Sequence, residues 1–399
     1  MRLLISADIH IGSPIRSIAL RNEELGYRLK DATRDTFTRI VNRAIDEQVD
    51  ALVLAGDIFD SSEPDVRSST FLLNQLARAS DAGVPTVLIR GNHDALLDHT
   101  ARGKLGDHIY LLDKKQPTVH IKNIAFHGLS FDKNHQEQSM LPRYPEPIPG
   151  VINVGLMHTA LDNTPGHDPY APCSSKDLLA HGYDVWCLGH IHAPIEHRND
   201  STLIVMPGIP QPRHIGERHG GFVNLVSIDD GITCSEQIKV GQLAFVERHL
   251  DLGDCHDQTQ VYKTFLSTME GERIDGQDVA LRLVVTTNTY PSEVLTELAR
   301  GIQDQLDGVY IEKINTTLPR REPTEEADDL IRLMREQLST PGVRQNASDT
   351  IELFRDILPP EIRSAFPATD DPQFDDLLNE LLEEAIKEVT VTVHQGESA

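Results

Sequence analysis

Five short apolar runs, rich in β-branched residues, punctuate the first half of the chain: Arg2–Ile5, Ala51–Leu54, Thr86–Ile89, Val151–Val154 and Val185–Leu188. Each is continuous rather than alternating and is bounded by Gly or polar residues, which predicts a strand buried on both faces. Strands of that kind belong to an α/β fold. In such layered folds the strand ends open onto a common edge, where ligands bind. The residues just after the five runs should therefore converge on one rim.

The pattern changes past residue 243. A strand is predicted over 244–252, a helix near 261–269, a strand over 279–286, a helix over 291–305 and a strand over 309–314. This β-α-β-α-β order predicts a small α+β domain. After the stretch Leu318–Pro323 the periodicity is helical. Leu330, Ile331, Met334 and Leu338 make one stripe, and Phe374, Leu377, Leu378, Leu381, Leu382 and Ile386 a stronger one. Three segments follow: 1–243, 244–320 and 321–399. The Pro-rich segment 141–149 reads as a loop.

Polar clusters follow the five runs. They are Asp8-Ile9-His10, Gly56-Asp57 with Asp60, Gly91-Asn92-His93-Asp94, His158, and Gly189-His190-Ile191-His192. Carboxylates, imidazoles and one amide, with no thiolate nearby, suit Mn, Fe or Zn better than a thiolate zinc knot or an all-oxygen calcium cage. One carboxylate can bridge two ions, and ions about 3.5–4 Å apart clamp the attacking and leaving oxygens of phosphoryl transfer. Satisfied turn residues without metal are the alternative. Five clusters in this order, each after a strand, argue against it.

The series resembles the calcineurin-like metallophosphoesterase superfamily, whose motifs run D-x-H, G-D-x-x-D, G-N-H-D/E, H and G-H-x-H. The resemblance implies a two-sheet β-sandwich flanked by helices in four layers. It also implies two divalent metal ions, Mn2+, with Asp8, His10, Asp57 and His192 on the first. Bridging Asp57, with Asn92, His158 and His190, would hold the second. His93 would stand outside both shells, stabilising charge on the phosphoryl oxygens and protonating the departing alkoxide. Asp60 matches the carboxylate that orients that histidine in related phosphatases, or else it caps the helix that follows.

The substrate class is narrower than the superfamily. Ser/Thr phosphatases carry an Arg soon after the second motif, which Ile58-Phe59-Asp60-Ser61-Ser62 lacks. Small cyclic-nucleotide phosphodiesterases end soon after G-H-x-H, whereas this chain continues for about two hundred residues. The opening Met1–His10, Ala55–Asp60 and Pro207–Glu217, with its R-H-I-x-E form, look like bacterial SbcD- and YhaO-type DNA repair exonucleases. That likeness covers residues 1 to about 245 well and the rest loosely. It implies DNA as substrate, a capping domain that shapes duplex ends, and an SMC-like (SbcC-like) ATPase partner docked on the C-terminal helices. A homodimer through 70–78 and 95–105 is implied by likeness alone. The C-terminal stripes could instead pack within the molecule. Alternatives for the whole chain are a small-molecule phosphodiesterase and a scaffold that binds DNA or ATPase with little chemistry.

Charge complicates the DNA reading. The formal net charge is −25 over 399 residues, the wrong sign for gripping phosphates. Residues 322–399 hold 19 acidic and 6 basic side chains, so about half of the excess lies in an acidic helical tail. Weak intrinsic DNA affinity, supplemented by the partner, is expected. Arg213 and His214 are candidate substrate contacts, His214 because its segment carries the exonuclease likeness. Arg90, Arg102, Lys104 and Arg218 flank the motifs and read first as solvated surface charges. His127, His135, His167, His197 and His219 read as surface or loop histidines. Cys173, Cys187, Cys234 and Cys255 have no metal spacing, which suits reduced thiols in the cytoplasm. No apolar run is long enough for a membrane span, and the first strand already carries Asp8, so no signal peptide is expected.

Overall fold

The computed structural model describes residues 1–15, 29, 31–61, 64–96, 106–162, 170–229, 232–253, 257–274, 276–287, 289–317, 325–338, 340–357, 374, 378–379 and 381–382. Of the residues singled out above, Arg102, Lys104, His167, Leu377, Ile386 and Cys255 lie outside that set, as do 97–105 of the proposed dimer segment.

Two six-stranded sheets form the body. The first contains β1 (Arg2–Ser6), β2 (Ala51–Ala55), β3 (Thr86–Ile89) and β4 (Ile109–Leu111), with β11 (Phe222–Asp229) and β12 (Ile232–Lys239), in the order β12-β11-β1-β2-β3-β4. The second contains β5 (Thr118–Ile121), β6 (Ile124–Gly128), β7 (Ile152–His158), β8 (Val185–Gly189), β9 (Ile195–Arg198) and β10 (Leu203–Met206), in the order β5-β6-β7-β8-β10-β9. β1 to β4 are parallel, as are β6, β7, β8 and β10; the remaining pairs are antiparallel.

Continuous apolar runs are what such a double-sided burial requires. Leu3, Ile5, Val53, Val87 and Ile89 of the first sheet face Val154, Leu156, Val185, Cys187 and Val205 of the second. The opposite side of the first sheet, Leu4, Leu52, Leu54 and Leu88, packs on α1 (Ala32–Asp46) and α2 (Val66–Asp81). α1 presents Phe37, Ile40, Val41 and Ala44 at helical spacing to that surface. α2 starts where Asp65 accepts a hydrogen bond from the Ser68 N–H at 2.6 Å. On the outer side of the second sheet, Trp186, Leu188, Ile204 and Met206 pack with Tyr144, Tyr183 and Leu178 of α3 (Ser175–His181). Each such side chain, fully buried, contributes about 1.5–3 kcal/mol. The result is a four-layer sandwich of helices, sheet, sheet and helix.

A three-stranded sheet, β13 (Leu243–Gly253), β14 (Asp278–Thr287) and β15 (Val309–Thr317), carries α4 (Gln258–Gly271) and α5 (Ser292–Gln303). Val261, Phe265, Met269, Leu295, Ala299 and Ile302 of the helices pack on Val279, Leu281, Leu283 and Val285. Gln211 ties this α+β part to the body: its Oε1 accepts from Thr36 Oγ1 at 3.0 Å and from the Gln242 N–H at 2.7 Å. By contacts, residues 1–285 and 289–316 form one compact unit, and 286–288 with 317–399 another. The second unit holds α6 (Glu325–Leu338) and α7 (Pro341–Ile357). In it Phe374 and Leu378 are buried, while Leu333, Leu353 and Leu381 are exposed.

Candidate metal centre

The turns after β1, β2, β3, β7 and β8 meet at one sheet edge because the parallel registers bring the strand ends level: Ser6 pairs with Leu54, Ala55 with Ile89, and His158 with Gly189. Short bonds then lock the turns together. Asp8 and His10 donate their N–H groups to Gly56 and Asp57 carbonyls, both at 3.1 Å. The His190 N–H donates to both carboxylate oxygens of Asp8, at 3.1 and 3.0 Å. Asp57 Oδ1 accepts from the His93 N–H at 2.9 Å. Gly91 is required by this closeness, since a Cβ there would stand 2.2 Å from Asp57 Oδ1.

Backbone strain collects at the same place. Asp8, His10 and Asp57 have φ near +50° (51°, 48° and 49°), and His190 has φ 102°. Side chains rarely adopt that region, which costs about 1–3 kcal/mol per residue and marks functional sites when the surroundings hold it.

The donor atoms are brought together. Those of Asp8, His10 and His192 lie within 4.8 Å of one another, as do those of Asp8, Asp57 and His158, and of His10, Asp60 and His93. Asn92 Oδ1 is 3.0 Å from His158 Nε2, and the His190 ring sits 5.3 Å from that of His158. Tautomers follow from partners. His158 Nδ1 faces the Ala55 carbonyl at 3.0 Å, which only accepts, so Nδ1 carries hydrogen and Nε2 faces the site. His10 and His192 aim their Nε2 atoms at each other, 3.2 Å apart, while their Nδ1 atoms sit 3.1 Å from Asp60 Oδ1 and 2.8 Å from Glu217 Oε1. Imidazoles held by a carboxylate or carbonyl through one nitrogen present the other to a metal. The set fits divalent cations.

Electrostatics agree. Burial, with Asp57 adding, raises the Asp8 carboxyl above its usual range despite the neighbouring histidines. Burial acts on Asp57 too, but His158, His10 and His93 overcome it and hold that carboxyl low. Burial alone would lower His158; the Asp57 and Asp8 carboxylates instead lift it to about 9. Two acids crowded in a dry site with histidines around them call for cationic charge.

The structure revises several details. The Asp60 carboxylate lies on His10 and Arg213 rather than on His93; it is the Asp60 carbonyl, 3.1 Å from His93 Nδ1, that meets the latter. Nor is Asp60 the cap of α2, which is Asp65. Arg213, its side chain 11% exposed, is enclosed by Glu217, Asp60 and Ser13. His214 is open at 46% and accepts the Gly216 N–H on Nδ1. His127 is fully buried on β6, between Thr118 Oγ1 at 2.9 Å and Asn153 Oδ1 at 3.1 Å and stacked on Tyr183. A polar residue among apolar ones in a strand gave no sign of those partners.

Two carboxylates had no role in the sequence reading. Asp94 accepts from the Ile58 N–H at 2.9 Å and the Gly91 N–H at 2.7 Å, tying the second motif to the third. Burial and the nearby Asp57 push it up to about 7. Glu217 holds His192. Its only signal was its place in the R-H-I-x-E stretch.

Residues 1–194 match the calcineurin-like phosphoesterase family. They are a calcineurin-like phosphoesterase domain. The domain is that of a metal-dependent phosphoester hydrolase. Among curated relatives, the uncharacterized metallophosphoesterase YhaO of Bacillus subtilis is 28% identical, covering 75% of this chain and 74% of its own. The DNA double-strand break repair protein Mre11 of Methanopyrus kandleri is 25% identical over 58% of this chain. The chain spans 55% of that relative's length and 54% of Mre11 from Sulfolobus acidocaldarius, about half in each case. A solved dimetal phosphatase from Danio rerio is 13% identical and covers 60% of this chain and 98% of its own, at a TM-score of 0.37. Among the described residues no helix is long and apolar enough to cross a membrane.

Proposed function

We propose that this phosphoesterase domain is a dinuclear, Mn-dependent phosphodiesterase. In this reading it is the DNA exo- or endonuclease subunit of a repair complex with an SMC-like ATPase. The observation that carries it is the convergence of Asp8, His10, Asp57, Asn92, His158, His190 and His192 on one edge, with His93 exposed beside them. Asp8, His10, Asp57 and His192 would hold one cation, and Asp57, Asn92, His158 and His190 the other. When bound, such ions make water nucleophilic at neutral pH and offset charge on phosphoryl oxygens.

The chain's own groups would do the rest. With Nδ1 donating to the Asp60 carbonyl, His93 presents Nε2 outward, where it can give a proton to the departing alkoxide. Asp60 therefore assists through its carbonyl. His214, exposed at the rim, is the proposed substrate contact. The segment 244–320 serves as a cap, and the exposed Leu333, Leu353 and Leu381 of the acidic tail support an ATPase docking surface. Exposed Leu96 supports a homodimer through 70–78 and 95–105. The free thiols Cys173, Cys187 and Cys234 suit a cytoplasmic location.

The test is incubation with Mn2+ and end-labelled duplex and single-stranded DNA, beside His93→Ala. Degradation by the wild type and not by a variant that still binds metal supports both the nuclease and the proton-donor role. Intact DNA with and without ATPase, alongside cleavage of a small phosphodiester, removes the DNA assignment. The net charge of −25 favours that second reading, a small-molecule phosphodiesterase.

A further inference from the structure

A closed ring of polar contacts runs behind the first cation position. Glu217 Oε1 accepts from His192 Nδ1 at 2.8 Å and from Arg213 Nη2 at 2.8 Å. Arg213 Nη1 donates to Asp60 Oδ1 at 2.9 Å and to Ser13 Oγ at 3.1 Å. Asp60 Oδ1 lies 3.1 Å from His10 Nδ1, within ion-pair distance but outside hydrogen-bond geometry, and His10 Nε2 returns to His192 Nε2 at 3.2 Å. One guanidinium thus bridges the two carboxylates that stand behind two histidines. The Glu217 side chain is 4% exposed.

This ring is rooted in rigid structure. Glu217 Oε2 accepts the Arg213 backbone N–H at 2.7 Å, closing the segment on itself through the 3-10 turn at Ile215–Glu217. Two residues before Arg213, fully buried Gln211 is bonded to Thr36, Gln242 and Leu243. The second cation position is anchored differently, with His158 held by the Ala55 carbonyl.

We propose that Arg213 and Glu217 are positioning residues: with Asp60 they form one charged brace that fixes the tautomer and aim of His10 and His192, and so sets the affinity of the first cation position selectively. The inference rests on reading the site as a two-cation centre and is independent of DNA being the substrate. A planar guanidinium can reach both carboxylates at once, which a lysine ammonium cannot do in the same geometry. Outer carboxylates of this kind raise imidazole basicity, and their loss typically costs about 10–100-fold in metal affinity.

Calorimetric titration of Mn2+ into the full chain tests it, comparing wild type, Glu217→Gln, Arg213→Met and the double variant. The expected result is two bound ions in wild type. In each variant one dissociation constant should rise about 10–100-fold, with the other unchanged. The double variant should be little worse than the poorer single, because the two residues act through one brace. Both constants rising together, neither rising, or the two effects multiplying would overturn the proposal. Fewer than two ions in wild type overturns the two-cation reading, and this proposal with it, whatever the nuclease assay gives. A second readout needs no variant to fold: Zn2+-loaded wild type should show a downfield, slowly exchanging Nδ1–H proton from His192, whose Nδ1 bonds Glu217 at 2.8 Å, by NMR. Its absence overturns the brace.

Discussion

Asp8 and His190 stand 182 residues apart in the chain and touch at the centre of the site, the His190 N–H shared between both Asp8 carboxylate oxygens. Asp8 is fully buried, and burial together with Asp57 raises its carboxyl. An acid raised in the fold weakens the fold wherever it is ionised, that is, at pH above its unfolded value. Asp8→Asn keeps an acceptor for His190 and removes the charge. With metal chelated, the variant should match or exceed wild-type stability at pH 7.5. With Mn2+ at a hundred times its dissociation constant, wild type should gain about 2.7 kcal/mol per specific site and the variant much less. Urea denaturation with EDTA or Mn2+ measures both, and equal metal stabilisation of the two proteins would remove Asp8 from the ligand set.

Two glycines should respond oppositely to alanine. A Cβ at Gly91 would sit 2.2 Å from Asp57 Oδ1 and 2.8 Å from His158 Cε1, while one at Gly301, inside α5, meets nothing within 4 Å. Gly91→Ala should cost about 1–3 kcal/mol through overpacking and abolish metal binding. Gly301→Ala should stabilise by about 0.5–1 kcal/mol and leave the site alone. Thermal denaturation with metal titration separates the two.

The sequence reading succeeded where a local pattern is dictated by two-sided burial. Leu3, Leu4 and Ile5 are apolar in succession because helices cover one side of the sheet and the second sheet the other, and the polar turn with Asp8 follows. The helices and strands of residues 244–317 showed through one-sided burial, since Phe265 and Leu281 fall at the periods their elements impose. Contacts between distant segments left no such mark. Glu217 on His192, Arg213 on Asp60, and His127 against Asn153 depend on loops and strands meeting in space. Arg213 looked like a phosphate contact because an arginine near a motif reads the same whether a carboxylate 153 positions away occupies it or not.

His127 gives a pH dependence remote from the metal centre. Burial lowers its basicity, so the folded protein prefers the neutral ring, while the unfolded chain protonates near pH 6.5. Between the folded value and 6.5 the unfolded state binds more protons, and stability falls as pH falls. This one group should remove at most about 1.4 kcal/mol per pH unit below 6.5, and nothing above it. His127→Gln has no proton to take up. The difference between wild type and variant in urea midpoint should therefore be constant above pH 7 and drift in the variant's favour from pH 6.5 downward. A difference that stays flat to pH 5 would show that His127 titrates normally in the fold.

The three-stranded sheet holds an ion pair that tests how its strands are fixed. Arg282 of β14 donates from Nε and Nη2 to the two oxygens of Glu312 on β15, at 2.7 and 2.9 Å. Glu312 is 2% exposed and Arg282 21%. Removing the guanidinium leaves a carboxylate with little access to water, so Arg282→Met should cost about 3 kcal/mol, the low end for a buried pair because Arg282 itself is partly wet. Arg282→Met with Glu312→Leu replaces both charges by apolar groups and should recover most of that loss. Mn2+ binding should be unchanged in both, since the pair bridges β14 and β15 of the three-stranded sheet. A double variant as unstable as the single would mean that the pair contributes through its own attraction rather than through the stranded charge its rupture leaves.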